Sequence, residues 1–258
     1  MTAIGNTEKR SVFRRNRIRT NGLDSLAEVV IHLVIVLLAL SCILPFIHII
    51  AKSLSSDAAV TSQLVSLLPV DFNFKAYRSV LGDKSMITSF WLTLKVTVLF
   101  TVLGMFLTVC AAYPLTRKRL KGRGVLSFFF LFTMYFSGGI IPDYLLINEL
   151  GLLNKPAALI LPLAFSAYNM ILLKTSIAAS VPDSLEESAF LDGAGDLRIL
   201  WSIVLPLSKP ILATLCLFYA VGRWNAYQDS VFYITKQPMY MLQHKLNLLI
   251  STASASLN

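Results

Sequence analysis

The 258-residue chain is 55% hydrophobic and only 14% charged, whereas an ordinary soluble domain is about a quarter charged. That balance excludes a soluble globule, which would lack the polar surface to cover the long apolar segments found here. The net charge of +9 is concentrated in two short segments, a distribution that points to membrane topology rather than to nucleic acid.

Taken in chain order, residues 1–27 form a basic tail in which Lys9, Arg10, Arg14, Arg15, Arg17 and Arg19 oppose only Glu8 and Asp24. Residues 29–51 follow without a single Asp, Glu, Lys or Arg. This run is longer than the roughly 7–15 residues of a signal-peptide core and lacks a small-residue cleavage site, so it reads as an anchor helix. Residues 96–116, 124–142 and 156–173 are likewise free of charge, and each is close to the ~20 residues that cross a bilayer as a helix. A fifth span is expected over residues 207–227, although it carries Lys209 and Arg223. The fold class is therefore an all-α integral membrane protein with a bundle of five transmembrane helices.

Residues 117–123 hold the second basic block, with Arg117, Lys118, Arg119, Lys121 and Arg123. One helix pair separates it from the basic tail, so both lie on one side. The positive-inside rule makes that side cytoplasmic, amino terminus included. Residues 52–88 mix Lys52, Lys75, Arg78 and Lys84 with Asp57, Asp71 and Asp83, and residues 143–155 are slightly acidic. Both suit the external face.

The remaining inside segment, residues 174–208, is not a basic tether. It combines Asp183, Glu186, Glu187, Asp192 and Asp196 with Lys174, Arg198 and large apolar residues. Pro182 suits a first helical turn, and Ser184 with Glu187 three residues later fits a capping box. Gly193 and Gly195 suit a helix stop, after which Asp196 is placed to cap a second helix through Val204, ended by Pro206 and Pro210. Two short helices joined by a glycine turn make a rigid elbow, with Leu197, Leu200, Trp201 and Val204 as an apolar face. Five acids disfavour the alternative, a segment lying on an anionic inner leaflet.

Cys42, Cys110 and Cys216 all fall in expected spans, and His32, His48 and His244 lack close ligand companions. Neither a disulfide framework nor a metal site follows. An intramembrane enzyme would need a nucleophile beside a base, and Ser137-Gly138-Gly139 has no obvious partner. No cofactor is implied.

Within the elbow stand Glu187-Ser188-Ala189, three residues, Gly193, nine residues, and Ile203-Val204-Leu205-Pro206. This resembles the EAA motif of ABC importer permeases, with Ser188 in place of the family's second residue. Asp192-Gly193-Ala194-Gly195 and Leu205-Pro206-Leu207-Ser208-Lys209-Pro210 are similar to the carbohydrate, maltose-type branch of the binding-protein-dependent importers. The resemblance covers about residues 28–250. It implies a permease subunit that forms the pathway for an oligosaccharide, delivered by an extracytoplasmic solute-binding protein, in a bacterial-type cytoplasmic membrane. It further implies a second homologous permease subunit and cytosolic ATPase subunits, which would perform the hydrolysis, so that this chain is no enzyme. Docking to the ATPase would involve Glu187, Ser188, Ala189, Gly193, Trp201, Ile203, Leu205 and Pro206. For Glu187 the bland alternative is the capping box alone. Such permeases have six spans, and residues 246–257 are too short and polar to supply the sixth, so the last span is expected either to have been removed or to be missing from an incomplete sequence.

On the fifth span, Arg223, Trp224, Asn225 and Tyr227 are candidates for the substrate pathway. An arginine within an apolar helix must face protein, water or the interface, and Trp224 beside amide and hydroxyl groups suits a sugar ring. The alternative is that Arg223 reaches the headgroups while Trp224 joins the interfacial aromatic belt. Two rival functions remain: an ABC permease for another solute class, and a secondary transporter, for which no repeated half or midplane charge is found.

Overall fold

The computed structural model describes residues 22–255. The basic residues Lys9 to Arg19 lie outside the described residues. Helices dominate, and no strand occurs among the described residues. The described residues divide into two compact units, one ending at Val80 and one beginning at Leu81.

The first unit contains α1 (Gly22–Ser53), whose apolar side chains from Leu26 to Ile50 are exposed on all sides, as lipid-facing residues are. It continues through α2 (Asp57–Thr61) and into α3 (Lys75–Gly82). A small core of Ala51, Ala59 and Val65 closes the segment after α1. Ser55 fastens it by donating to the Ala51 carbonyl at 2.6 Å and accepting from Val70 N at 3.0 Å.

The second unit is built around α4 (Lys84–Thr116), which begins well before residue 96 because Asp83 caps it through Ser85 N at 2.8 Å. It packs against α7 and α11, described below. The face it buries carries Ser89, Thr93, Thr97, Thr101, Gly104 and Thr108, small residues that let helices approach where no hydrophobic drive separates protein from lipid. At Gly104 the approach is closest, since a Cβ there would lie 2.8 Å from both the Ala164 carbonyl oxygen and the Tyr219 ring. Two of the threonine hydroxyls are satisfied locally, Thr93 donating to the Ser89 carbonyl and Thr101 to the Thr97 carbonyl at 2.8 Å, whereas the buried Thr97 hydroxyl has no partner among the described residues.

The third apolar run is not one straight helix. It forms α5 (Arg123–Tyr135) and α6 (Ile140–Glu149), bent by 109° at a short break. Gly139, at φ 87°, holds a backbone conformation that side chains disfavour, and it sits where the break falls. The fourth run also departs from expectation. Residues Pro156–Leu159 make a tight 3₁₀ turn, and α7 (Ala167–Ser180) starts only at the Ser166 cap and continues past Lys174. Pro162 interrupts the run, and the absence of charge in residues 156–173 concealed the boundary.

The elbow comprises α8 (Asp183–Leu191), α9 (Asp196–Ile199), a π-type turn over Leu200–Val204 in which Leu205 N–H reaches the Leu200 carbonyl, and α10 (Leu205–Leu207). The wider turn lies immediately before Pro206, which has no N–H to offer and crowds the preceding turn. The helix therefore passes Pro206 instead of ending there. A bend of 83° separates it from α11 (Lys209–Asn225). The chain finishes with α12 (Gln228–Tyr233), a 3₁₀ turn at Gln237–Met239 and α13 (Leu242–Ala255). Among the described residues, two helices are long and apolar enough to cross a membrane, Leu26–Ser53 and Lys84–Thr116, or up to four spans if each bent pair counts as one. The all-helical architecture with at least two membrane-length apolar helices agrees with the expected membrane bundle. Ala112, Leu173, Ile177, Ile199, Val204 and Leu215 form the main core where α4, α7, α11 and the elbow meet.

Candidate functional site

The elbow's turn is made by Gly193, at φ 80°, with Ala194 N–H reaching Ala189 and Gly193 N–H reaching Phe190, both at 2.9 Å. This pair of bonds is a Schellman stop. Gly195, at φ −77°, plays no such part. The expected capping box does not form, because Pro182 occupies the N-cap position and leaves Ser184 inside the first turn, where its carbonyl accepts from the Ser188 hydroxyl at 2.9 Å. Asp196 is likewise the first residue of α9 and not its cap, a position taken by Gly195.

The elbow's apolar residues divide between two faces. Ile199, Leu200 and Val204 are buried in the core, with Ala189, Ile203 and Leu205 packed against it. Leu191, Leu197 and Trp201 are 90%, 73% and 70% exposed and form an apolar surface. Glu187, Ser188, Gly193 and Pro206 are exposed on the same segment.

The basic block meets the elbow's acids. Arg117 pairs with Glu186, Lys118 with Asp183 and Arg119 with Asp196. The Arg117 guanidinium lies 4.4 Å from the Tyr113 ring centre and that of Arg119 4.5 Å from Phe190. The bond and charge of Lys118 hold the Asp183 carboxyl below its ordinary pKa, and burial lowers that of Arg117.

A second site lies on the other end of α11. A cleft of about 410 Å³ is lined by residues including Phe100, Ser166, Asn169, Tyr219, Arg223 and Tyr227. The Tyr219 hydroxyl accepts from Ser166 N at 3.2 Å and shares a 2.7 Å bond with Thr108 Oγ1, joining α4, α7 and α11. Arg223 is 3% exposed and donates from Nη1 to Asp229 at 2.6 Å, with its guanidinium 5.4 Å from the Phe100 ring centre.

Residues 85–228 match the family described as binding-protein-dependent transport system inner membrane component. That match spans more than half of the chain and contains both the elbow and most of the cleft. The chain belongs to this family. It is similar to the polygalacturonan/rhamnogalacturonan transport system permease protein YtcP of Bacillus subtilis, 42% identical over 90% of this chain and 80% of the relative. It is also similar to protein LplC of the same organism, 40% identical over 80% of this chain and 71% of that one. Among solved structures, a bacterial ABC transporter involved in the import of the acidic polysaccharide alginate has a chain with a TM-score of 0.85 and 38% identity, covering 92% of this chain and 87% of that chain.

In this permease the four pathway candidates do not stay together. Arg223, Asn225 and Tyr227 line the cleft, whereas Trp224 turns away and meets Phe90 edge-on at 5.8 Å. Arg223 is buried and paired, so it does not reach outward to headgroups. Ser166, Asn169, Gln228 and Asp229 also line the cleft and escaped the sequence reading. A signal existed for Asp229, a lone acid six residues after a lone arginine in an apolar stretch, but Ser166 and Asn169 arrive from another helix. The pairing of the basic block with Asp183, Glu186 and Asp196 was missed as well, because that block was read only as a topology marker.

Proposed function

We propose that the permease forms half of the translocation pathway for an oligosaccharide, handed over by a solute-binding protein and driven by cytosolic ATPase subunits. The observation that carries the sugar assignment is the 42% identity with a permease named for polygalacturonan and rhamnogalacturonan transport, over 90% of the chain. The alginate importer supports it and favours fragments of acidic glycans. The cleft suits an uncharged part of such a ligand, since Tyr219, Asn169, Asn225 and Tyr227 offer hydrogen-bonding groups among aromatic rings while Arg223 is already engaged by Asp229.

The elbow is the docking element for an ATPase subunit, with Glu187, Ser188, Ala189, Gly193, Trp201, Ile203, Leu205 and Pro206 as its residues. Exposure of Glu187 and of Trp201 supports contact roles, and the packing of Ala189, Ile203 and Leu205 supports a framework role. The basic tail and residues 117–123 lie in the cytoplasm, as does the elbow, which agrees with the three ion pairs joining that loop to it. The bundle follows the tail at about residue 28.

Replacing Glu187 with Lys tests docking. ATPase subunits should no longer co-purify with the variant, and ATP-driven uptake should stop while the permease remains in the membrane. Normal co-purification and uptake by Glu187→Lys would remove this residue from the contact, leaving it an ordinary solvated acid.

A further inference from the structure

Both covalent connections of the elbow are bends. At its start, Val181 and Pro182 take extended backbone conformations between α7 and α8. At its end, the π-type turn and Pro206 precede the 83° bend into α11. Neither joint is a continuous straight helix.

Side chains supply a stiffer connection. Arg117 extends from the end of α4 to Glu186 in α8, and the two side chains are 10% and 12% exposed. The pairs Lys118–Asp183 and Arg119–Asp196 are far more exposed, so solvent screens them. Tyr113 completes the clamp from the last turns of α4, lying beneath the Arg117 guanidinium and donating its hydroxyl to the Asp196 carbonyl at 3.0 Å. One helix end therefore grips both helices of the elbow. The same helix reaches the cleft through Phe100 and through the Thr108–Tyr219 bond.

We propose that Arg117 and Glu186 are positioning residues that tie the elbow to α4, so that movement of the elbow is carried directly to the helix lining the cleft. The inference rests on the elbow's docking to an ATPase. Glu186 and Glu187, neighbours in sequence, then divide the work: Glu186 faces inward to the permease and Glu187 outward to the partner. Removing the inner charge leaves the elbow docked but loosely attached, and ATP is hydrolysed without a matched movement of α4.

The test is the ratio of solute transported to ATP hydrolysed in proteoliposomes holding the full complex, with ATPase co-purification measured alongside. Glu186→Gln and Arg117→Gln should keep the ATPase bound yet lower that ratio by about tenfold, within the usual range for coupling between sites. Arg117→Lys, which keeps the cation, should restore most of it. If a Gln variant fails to accumulate, Glu186→Asp takes its place, and its shortened reach should also lower the ratio. A wild-type ratio in these variants overturns the proposal. So does loss of the ATPase to the extent seen with Glu187→Lys, because the pair would then serve only to fold the elbow. Failure of docking itself is distinguishable, since it appears as normal co-purification of Glu187→Lys.

Discussion

Burial of Arg223 at 3% exposure is tolerable because Asp229 meets it at 2.6 Å, while the same guanidinium lies over the Phe100 ring and donates from Nη2 to Met241 Sδ at 3.7 Å. Losing one partner of such a pair leaves an uncompensated charge and costs about 3–5 kcal/mol, whereas apolar replacement of both is far less harmful. Thermal melting of the detergent-purified complex should therefore fall sharply for Arg223→Met and for Asp229→Leu singly, and less for the double variant than for either. Additive losses would mean the two side chains do not interact. That Arg223 must face protein was legible in the sequence, since a charge in an apolar helix has few alternatives. Its partner was not, because the chain leaves its helix at Ala226 and the register is lost there, whereas Trp224 still lies within α11 and, one residue on from Arg223, is turned to a different face. The capping box failed because Pro182 took the cap, leaving Ser184 and Glu187, still three residues apart, inside the helix instead of at its Ncap and N3 positions.

At the scale of elements, composition located every apolar segment but not the breaks within them. Hydropathy reports that residues 124–142 suit a membrane, and it carries no information on the 109° bend between α5 and α6. Local cues did exist in Ser137-Gly138-Gly139 and Pro162, whose backbone preferences oppose a continuous helix. The elbow was more legible because its stop depends on a single residue. Gly193 takes φ 80° with nothing within 4 Å of where a Cβ would lie, so the cost of a side chain here is conformational and not steric. A left-handed residue costs roughly 1–2 kcal/mol for an ordinary side chain and less for Asn. Melting should therefore rank wild type above Gly193→Asn above Gly193→Leu. A Leu variant as stable as wild type would contradict the Schellman assignment. Transport loss beyond the loss of stability would report close approach of the ATPase.

For the whole molecule, the topology proposed from the positive-inside rule has Arg119 in the cytoplasm and Asp71 outside. In a cysteine-free background, a cysteine replacing Asp71 should react with a membrane-impermeant thiol reagent in intact cells, and one replacing Arg119 should not. The reverse pattern would invert the topology. Family membership was legible because the elbow's residue types stand at the spacing of the resembled motif; the ligand was not, since a fold and a loop do not define what passes through. Oligosaccharide import is open to direct test by reconstituted uptake. Proteoliposomes would contain the permease, its partner permease and the ATPase, with binding protein and labelled galacturonate or alginate oligomers on one side and ATP on the other. The account predicts ATP-dependent accumulation of an oligosaccharide, lost on omission of the binding protein or in Glu187→Lys. ATP-dependent accumulation of a peptide, amino acid or phosphate, with none of any sugar oligomer, would contradict it.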